Sequence, residues 1–180
     1  MKKIIAEAIN EIYVNKNYKL FSEKCRQYLP EVGELAGVLS RNYEVDNSGF
    51  DDEMPCDTLY IKYNSYTDGN ITIKYQSIIN ICKIIKIFYV QHEFSLDNTD
   101  PDKSAPVLDG YGGMPYTKTQ YIMELSSVEF LEALGYEKIG INELDEAVCD
   151  IPLPEGSIFG KQLTVENALF RDVLGVNESE

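Results

Sequence analysis

The stretch that decides the fold runs from Leu59 to Tyr75 and reads LYIKYNSYTDGNITIKY. Apolar or aromatic residues occupy every second position from Leu59 to Tyr63, and again from Ile71 to Tyr75. This period of two is typical of strands that bury one face. The segment Thr67-Asp68-Gly69-Asn70 separates the two runs, and an Asp-Gly pair in that position is a strong hairpin signal. The stretch therefore predicts an antiparallel hairpin.

Two further runs extend the predicted sheet. Residues Lys83 to Phe94 are rich in Ile, Phe, Tyr and Val, which predicts a largely buried strand. Residues Thr117 to Leu125 alternate again, with Tyr121 and Met123 among the apolar positions, which predicts another strand. Together with the hairpin, these runs predict an antiparallel meander of about four strands.

Helical periodicity precedes the predicted sheet. Apolar residues recur at helical spacing from Ile4 to Ile12, from Tyr18 to Leu29 and from Glu31 to Tyr43. Pro30 marks the boundary between the second and third segments, because proline cannot continue a helix. Three N-terminal helices are therefore expected.

Helical signals return after the predicted sheet. Ser126-Ser127-Val128-Glu129 fits a capping box with Ser126 as N-cap, and Gly135 is placed to end that helix. Shorter helices are predicted over Asn142–Cys149 and over Thr164–Leu174. The fold class that follows is α+β in a single domain over residues 1–180: N-terminal helices, a central antiparallel β-meander, then C-terminal helices.

A long segment without periodicity separates the last two predicted strands. It runs from Asp97 to Pro115 and includes Gly110-Tyr111-Gly112-Gly113. Loops of this length without structure of their own are usually functional or disordered. We expect the segment, up to Tyr116, to lie outside the core as an exposed excursion.

Negative charge is concentrated in one half of the chain. The net charge is −14, and residues 97–180 carry five Lys or Arg against seventeen Asp or Glu. Such a surface attracts cationic partners and repels nucleic acid and anionic lipid. The composition therefore predicts a basic protein partner, with no direct binding to nucleic acid and no association with a membrane.

The motifs of common catalytic and metal sites do not fit this sequence. His92 is the only histidine, and His92-Glu93 is not a zinc-protease motif because position 96 is Leu. An EF-hand beginning at Asp100 would place Ala105 where glycine is required and Tyr111 where the bidentate glutamate belongs. The sequence therefore predicts no metal, no cofactor and no enzymatic activity. His92 itself is expected to be a hydrogen-bonded structural residue on a strand.

The cysteines and the N-terminus indicate a compartment. Cys25, Cys56, Cys82 and Cys149 form no CxxC pair. Polar residues interrupt the opening segment before it reaches the length of a secretory apolar core. We therefore expect a reduced, cytoplasmic protein that is held by neither disulfide nor metal.

In type, the chain resembles the bacterial immunity proteins that neutralise polymorphic or contact-dependent growth-inhibition toxins. The resemblance rests on size, acidity, the tyrosine-rich meander with its Asp-Gly hairpin and the acidic loop from Asp97 to Gly113, without a signature motif. It implies a protein that binds a cognate basic toxin of the nuclease type and masks its active site. The candidate partner-binding residues are Asp97, Asp100, Asp102, Asp109, Tyr111 and Tyr116.

Two other hypotheses remain open at this point. A small enzyme would require a concave pocket that joins His92 to a cysteine or to carboxylates. A phage-type inhibitor that mimics nucleic acid would present its carboxylates in regular rows. A flat or convex acidic face rimmed by tyrosines would favour the protein-binding hypothesis over the enzyme, and carboxylates gathered in one cluster would favour it over the mimic.

Overall fold

The computed structural model describes residues 1–49, 53–100, 102, 108–153 and 162–176. They form a mixed α+β structure around a mostly antiparallel sheet, which confirms the predicted fold class. The sheet has seven strands rather than about four.

Three helical segments open the chain. Helix α1 (Lys3–Ile9) continues into a π-helical turn (Asn10–Val14), and α2 (Tyr18–Cys25) and α3 (Pro30–Leu39) follow. Asn17 caps α2 by accepting a hydrogen bond from the Leu20 amide at 3.3 Å. Pro30 occupies the first turn of α3, where its missing N–H costs nothing.

The main sheet is a meander built around one long hairpin. The main path follows β1 (Glu44–Gly49), β2 (Cys56–Lys62), β4 (Ile71–Cys82), β5 (Ile87–Asn98) and β6 (Leu108–Gly112) in that order. The short β3 (Tyr66–Asp68) pairs with β4, and Asp68 lies opposite Ile71, which confirms the predicted Asp-Gly hairpin. Gly69 turns the chain with a φ of +57°, a backbone conformation that glycine adopts without strain.

The C-terminal part adds helices and short strands. Helix α4 (Lys118–Ala133) leads into β7 (Glu137–Lys138), which pairs with β5 in parallel. Helix α5 (Ile141–Leu144) precedes a second, two-stranded sheet of β8 (Ala147–Pro152) and β9 (Gln162–Thr164), and α6 (Val165–Leu169) follows directly.

Each face of the main sheet packs on its own hydrophobic cluster. One face carries Leu59, Ile79 and Val90, which pack with α3 and α4. The other face carries Cys56, Cys82 and other residues that pack with α1, α2 and α6, but only near one end of the strands. The two clusters therefore cover the sheet unequally.

The predicted strand at Thr117–Leu125 is wrong, because this segment is the first half of α4. Thr117 accepts a hydrogen bond from the Gln120 amide at 3.1 Å, and the Gln120 side chain accepts one from the Thr117 amide at 3.1 Å. The capping box therefore begins at Thr117 rather than at Ser126, whose hydroxyl lies inside the helix and donates to the Ile122 carbonyl. Burial of Gln120, Met123, Ser127 and Leu131 follows the helical period.

The segment from Asp97 to Pro115 was predicted to be irregular, and that prediction is wrong at both ends. Asp97 and Asn98 complete β5, and residues 108–112 form β6 against it. Residues 101 and 103–107 lie outside the described residues. The segment adds an edge strand to the sheet, and its tyrosine and aspartate side chains acquire fixed directions.

Strand and helix limits also differ elsewhere. The third predicted strand, Lys83–Phe94, begins at Ile87, because residues 83–86 form the turn that connects β4 to β5. The predicted helix over Asn142–Cys149 is the short α5 followed by β8. The helix capped by Thr164 ends at Leu169 instead of Leu174.

The capping box at Thr117 gives a direct test of the helix assignment. Replacing Thr117 with Ala should lower the free energy of unfolding by about 1 kcal/mol, because a helix amide loses its cap. Replacing Ser126 with Ala should change it by less than about 0.5 kcal/mol, since an exposed mid-helix serine contributes little. Urea denaturation followed by circular dichroism measures both. A larger loss from the Ser126 variant would contradict the helix boundary.

Candidate functional site: the open sheet face

One face of the main sheet is left uncovered over much of its width by the described residues. It is called the open sheet face here. Its side chains are partly or fully exposed and come from β2, β4, β5 and β6, namely Tyr60, Lys62, Lys74, Gln76, Ile78, Gln91, Glu93, Ser95, Asp109 and Tyr111. A cleft of about 660 Å³ lies over this face, lined by Lys62, Gln76, Glu93 and Tyr111 among others.

The direction of the β6 side chains follows from a close contact on the covered face. Gly110 lies opposite Phe94, and a Cβ at position 110 would come within 2.1 Å of the Phe94 ring. Any larger residue there would force the Phe94 ring to move. Because strand side chains alternate between faces, Asp109 and Tyr111 on either side of Gly110 both point to the open sheet face.

Tyr111 stands at the centre of an acidic cluster. It is 77% exposed and lies directly opposite Glu93 in the sheet register. Glu93 and Asp109 line the first cleft with Tyr111, while Glu93 and Asp145 line a neighbouring cleft of about 410 Å³ that Tyr111 also borders. We call Glu93, Asp109, Tyr111 and Asp145 the acidic tyrosine cluster.

Positive charges on the same face are already neutralised. Lys74 lies 2.5 Å from Asp97, Lys62 lies 3.4 Å from Glu44, and Arg171 donates to Glu166 at 2.9 Å. In the acidic tyrosine cluster, by contrast, neither Asp109 nor Asp145 has a cationic partner among the described residues, and Glu93 accepts only from the Gln91 amide group. The net field around Tyr111 is therefore negative.

The structure brings together only part of the predicted partner-binding set. Asp109 and Tyr111 share the acidic tyrosine cluster. Asp97 lies on the same face but is held by Lys74, and Asp102 lies farther along the loop, where its amide donates to Asp100 at 3.0 Å.

Tyr116 is on the other side of the sheet. Its ring packs edge-on against Phe94, with the ring centroids 4.8 Å apart. Tyr116 therefore cannot act at the open sheet face together with Tyr111, so the two predicted partner-binding tyrosines are separated.

Comparison with protein-family models, with curated proteins and with solved structures found no match to this chain. Function must therefore be inferred from the geometry of the molecule itself.

The prediction from sequence missed two members of the acidic tyrosine cluster. Glu93 lies in the apolar run that predicted a buried strand, and its exposure follows only from the uncovered face. Asp145 follows α5, far from Tyr111 in the chain, and reaches the cluster through the fold. A period of two along β5 places the polar residues Gln91, Glu93 and Ser95 on one face. This polar face was the sequence signal that could have predicted the exposure of Glu93.

His92 lies on the covered face and is fully buried, which confirms the prediction of a hydrogen-bonded residue on a strand. Its Nδ1 is 2.8 Å from Ser77 Oγ, and its Nε2 is 3.0 Å from Glu124 Oε2 on α4. Tyr63 donates to Ser77 Oγ at 2.9 Å, and Lys138 donates to the other Glu124 oxygen. A polar chain thus joins the residue that follows β2 to β4, β5, α4 and β7.

The distances in this chain are compatible with one simple arrangement of protons. Ser77 Oγ accepts from Tyr63, so its own proton is free to donate to His92 Nδ1. The remaining imidazole proton is then on Nε2 and donates to Glu124. A neutral histidine and an ionised glutamate satisfy every hydrogen bond in the chain.

The arrangement around His92 differs from a nucleophilic site. Ser77 and His92 are both fully buried, so a substrate has no access to the hydroxyl in this conformation. Cys25, Cys56 and Cys82 belong to the cluster on the other side of the sheet. Burial raises the pKa of the Cys56 thiol to about 11 and that of the Cys82 thiol to about 12, which disfavours the reactive thiolate.

Two kinds of feature are absent from the described residues. They contain no group of three or more His, Cys, Asp or Glu side chains placed to hold a metal ion. Within the same residues, no helix combines the length and apolar character needed to cross a membrane.

Glu124 makes the stability of the protein depend on pH in a defined direction. Burial raises its pKa, but the hydrogen bonds from His92 and Lys138 outweigh burial, so the pKa lies below its ordinary value. Ionised Glu124 therefore contributes its full stabilisation to the folded state above the unfolded-state pKa of about 4.3. That contribution is lost as the pH falls through the lower pKa of Glu124 in the folded state.

Replacing Glu124 with Gln should lower the free energy of unfolding by about 2 kcal/mol at pH 7, since two hydrogen bonds lose a charged partner. The difference between the wild type and the variant should shrink as the pH falls from 6 to about 3. Urea denaturation across this range measures it, with Glu34→Gln on the exposed side of α3 as the matched control. A difference that is independent of pH would contradict the ionised state of Glu124.

Proposed function

We propose that this chain is a protein-binding inhibitor that receives a cationic surface of its partner at the open sheet face. The observation that carries the proposal is the position of Tyr111: a large aromatic side chain, 77% exposed, among three carboxylates without a cationic partner among the described residues. Tyrosine in such a position is typical of binding hot spots, because it offers rigid contact area and a polar tip.

The chemistry of the cluster favours an arginine or lysine side chain as the bound group. The Tyr111 ring offers a cation–π face, and Glu93 and Asp109 line the same cleft and offer carboxylates. Lys62 and Lys74 lie in the same cleft, but their charges are neutralised by Glu44 and Asp97. The cleft thus suits one protruding basic side chain at the centre of a larger contact.

The overall charge supports a basic partner as well. The net charge of −14 accelerates association with a cationic protein through long-range attraction. Together with the resemblance in type to immunity proteins, it favours inhibition of a basic toxin of the nuclease type by masking of its active site. The described carboxylates around Tyr111 form one cluster, in contrast to the regular rows expected of a nucleic-acid mimic.

The decisive experiment captures the partner and then tests inhibition. Tagged wild type, Tyr111→Ala and Tyr66→Ala proteins are used as bait in lysates of the native cells, and bound proteins are quantified by mass spectrometry. Tyr66 is the matched control, because it is 60% exposed on β3 and does not border the clefts beside Tyr111. We expect a basic protein that the wild type and Tyr66→Ala retain and that Tyr111→Ala retains at least tenfold less, as for a hot spot of about 2 kcal/mol.

The captured protein is then expressed with and without this chain. Growth arrest by the partner alone, relieved by the wild type and not by Tyr111→Ala, would support an inhibitor of the immunity type. A partner without toxic activity would overturn inhibition while leaving the binding site intact. Equal retention by Tyr111→Ala and the wild type would overturn the site itself.

Asp109 and Asp97 are expected to contribute differently to the rate of association with the partner. Asp109→Asn should lower the association rate constant a few-fold at low salt, because it removes a carboxylate without a described cationic partner. Asp97→Asn should have a smaller effect, since Lys74 already neutralises Asp97. Surface plasmon resonance with the captured partner measures both, and the difference should disappear at about 0.5 M salt. An equal or larger effect of Asp97→Asn would contradict the placement of the interface.

A further inference from the structure

A second surface, on the opposite side of the sheet, is formed by the outward side of α4. We call it the α4 outer face and define it by Lys118, Tyr121, Ile122, Leu125 and Glu129. Tyr121 is 51% exposed, Ile122 is 46% exposed and Leu125 is 50% exposed. Three large apolar or aromatic side chains on adjacent turns are unusual on a solvated helix, where polar residues normally face water.

The spacing on this face is that of a helix-pairing seam. Positions 118, 122, 125 and 129 are separated by four, three and four residues, which is the alternation of a heptad repeat. Ile122 and Leu125 occupy the middle of the seam. Lys118 lies at its N-terminal end and Glu129 near its C-terminal end, and neither is in an ion pair with a described residue.

We infer that the α4 outer face binds a second copy of this chain, with the two α4 helices antiparallel. A two-fold axis between Ile122 and Leu125 places Ile122 opposite Leu125 of the second copy. The same axis places Lys118 opposite Glu129 of the second copy, and symmetry repeats both contacts. The surface is therefore complementary to itself in both apolar pattern and charge, as an isologous interface requires.

Tyr121 fits the same arrangement. In an antiparallel pair the same flank of each helix meets, so the axis places Tyr121 beside Tyr121 of the second copy, offset by about 7.5 Å along the helix, and leaves the exposed Ser126 on the other flank. The tyrosine then covers the edge of the Ile122–Leu125 contact and keeps its hydroxyl in water.

Repulsion between the two negatively charged copies opposes this pairing, but dissolved salt screens most of that repulsion. Each chain carries −14, but at physiological salt only charges within a Debye length of about 8 Å interact strongly. The two Lys118–Glu129 contacts lie at the seam itself. A single helix pair buries a small area, so we expect a weak dimer that forms with rising concentration.

The dimer is independent of the function proposed above and compatible with it. Helix α4 packs on the covered face of the sheet, so pairing through it leaves both open sheet faces exposed. A dimer would thus present two copies of the acidic tyrosine cluster in one particle.

Sedimentation equilibrium and size-exclusion chromatography with light scattering test the inference, over roughly 5 to 500 µM protein at physiological salt. We expect a reversible monomer–dimer equilibrium for the wild type. Lys118→Glu alone and Glu129→Lys alone should each raise the dissociation constant about tenfold, because each places two like-charged pairs at the seam. An equimolar mixture of the two variants should regain association near the wild-type level, since each mixed pair has complementary charges.

Controls separate the seam from general effects of charge and folding. Lys19→Glu on α2 makes the same change in net charge at an 84% exposed side chain and should leave the equilibrium unchanged. Circular dichroism checks that every variant is folded. A wild type that is monomeric throughout, or a dimer that neither single reversal weakens, would overturn the inference. Failure of the mixture to regain association would exclude the antiparallel arrangement.

Discussion

The constraint on which the rest of the structure depends is the length of the β4–β5 hairpin. Each strand has twelve residues, and they pair without interruption from Ile71 opposite Asn98 to Ile81 opposite Phe88. Twelve residues of extended chain span about 40 Å. The helices α1, α2 and α6 are all short and cover only one end of the second face. Among the described residues, the strands therefore project beyond their cover, and this projecting part is the open sheet face.

The covered face carries a polar connection where an apolar contact would be expected. The chain from Tyr63 through Ser77 and His92 to Glu124 crosses from the sheet into α4, and Lys138 completes it. Replacing a member by an apolar residue would leave its neighbour buried without a partner, which costs more than the hydrogen bond itself contributes. These contacts fix the position of α4 over β5 more narrowly than hydrophobic packing alone. They also fix the direction of the α4 outer face.

Local signals in the sequence predicted the local structure well. The Asp-Gly hairpin, the apolar period of the N-terminal helices and the Thr164 cap are encoded within a few residues of each other. Helix α4 was missed because Tyr121, Met123 and Leu125 also satisfy a period of two, while the deciding signal is the pairing of Thr117 with Gln120. Strand β6 was missed because five residues with two glycines have little strand propensity, and only pairing with β5 makes them a strand.

The candidate site was predictable only in part for a related reason. Asp109 and Tyr111 were identified from acidity and aromatic character, which are properties of the residues themselves. Their separation from Tyr116, and their union with Glu93 and Asp145, depend on which face of the sheet each side chain occupies. The face is decided by the alternation of side chains along each strand and by which strands pair. Neither can be determined from the composition of a loop.

The close approach of Gly110 to the Phe94 ring has a consequence for how this surface can evolve. If β6 shifted by one residue, Asp109 or Tyr111 would have to fit against Phe94, where even a Cβ collides, so a one-residue shift of the edge strand is disfavoured. This contact involves Gly110 and not the side chains of its two neighbours. Substitution at positions 109 and 111 therefore leaves the contact between Gly110 and Phe94 in place. If the open sheet face binds a partner as proposed, specificity can change at these two positions without disturbing the packing of Gly110 on Phe94.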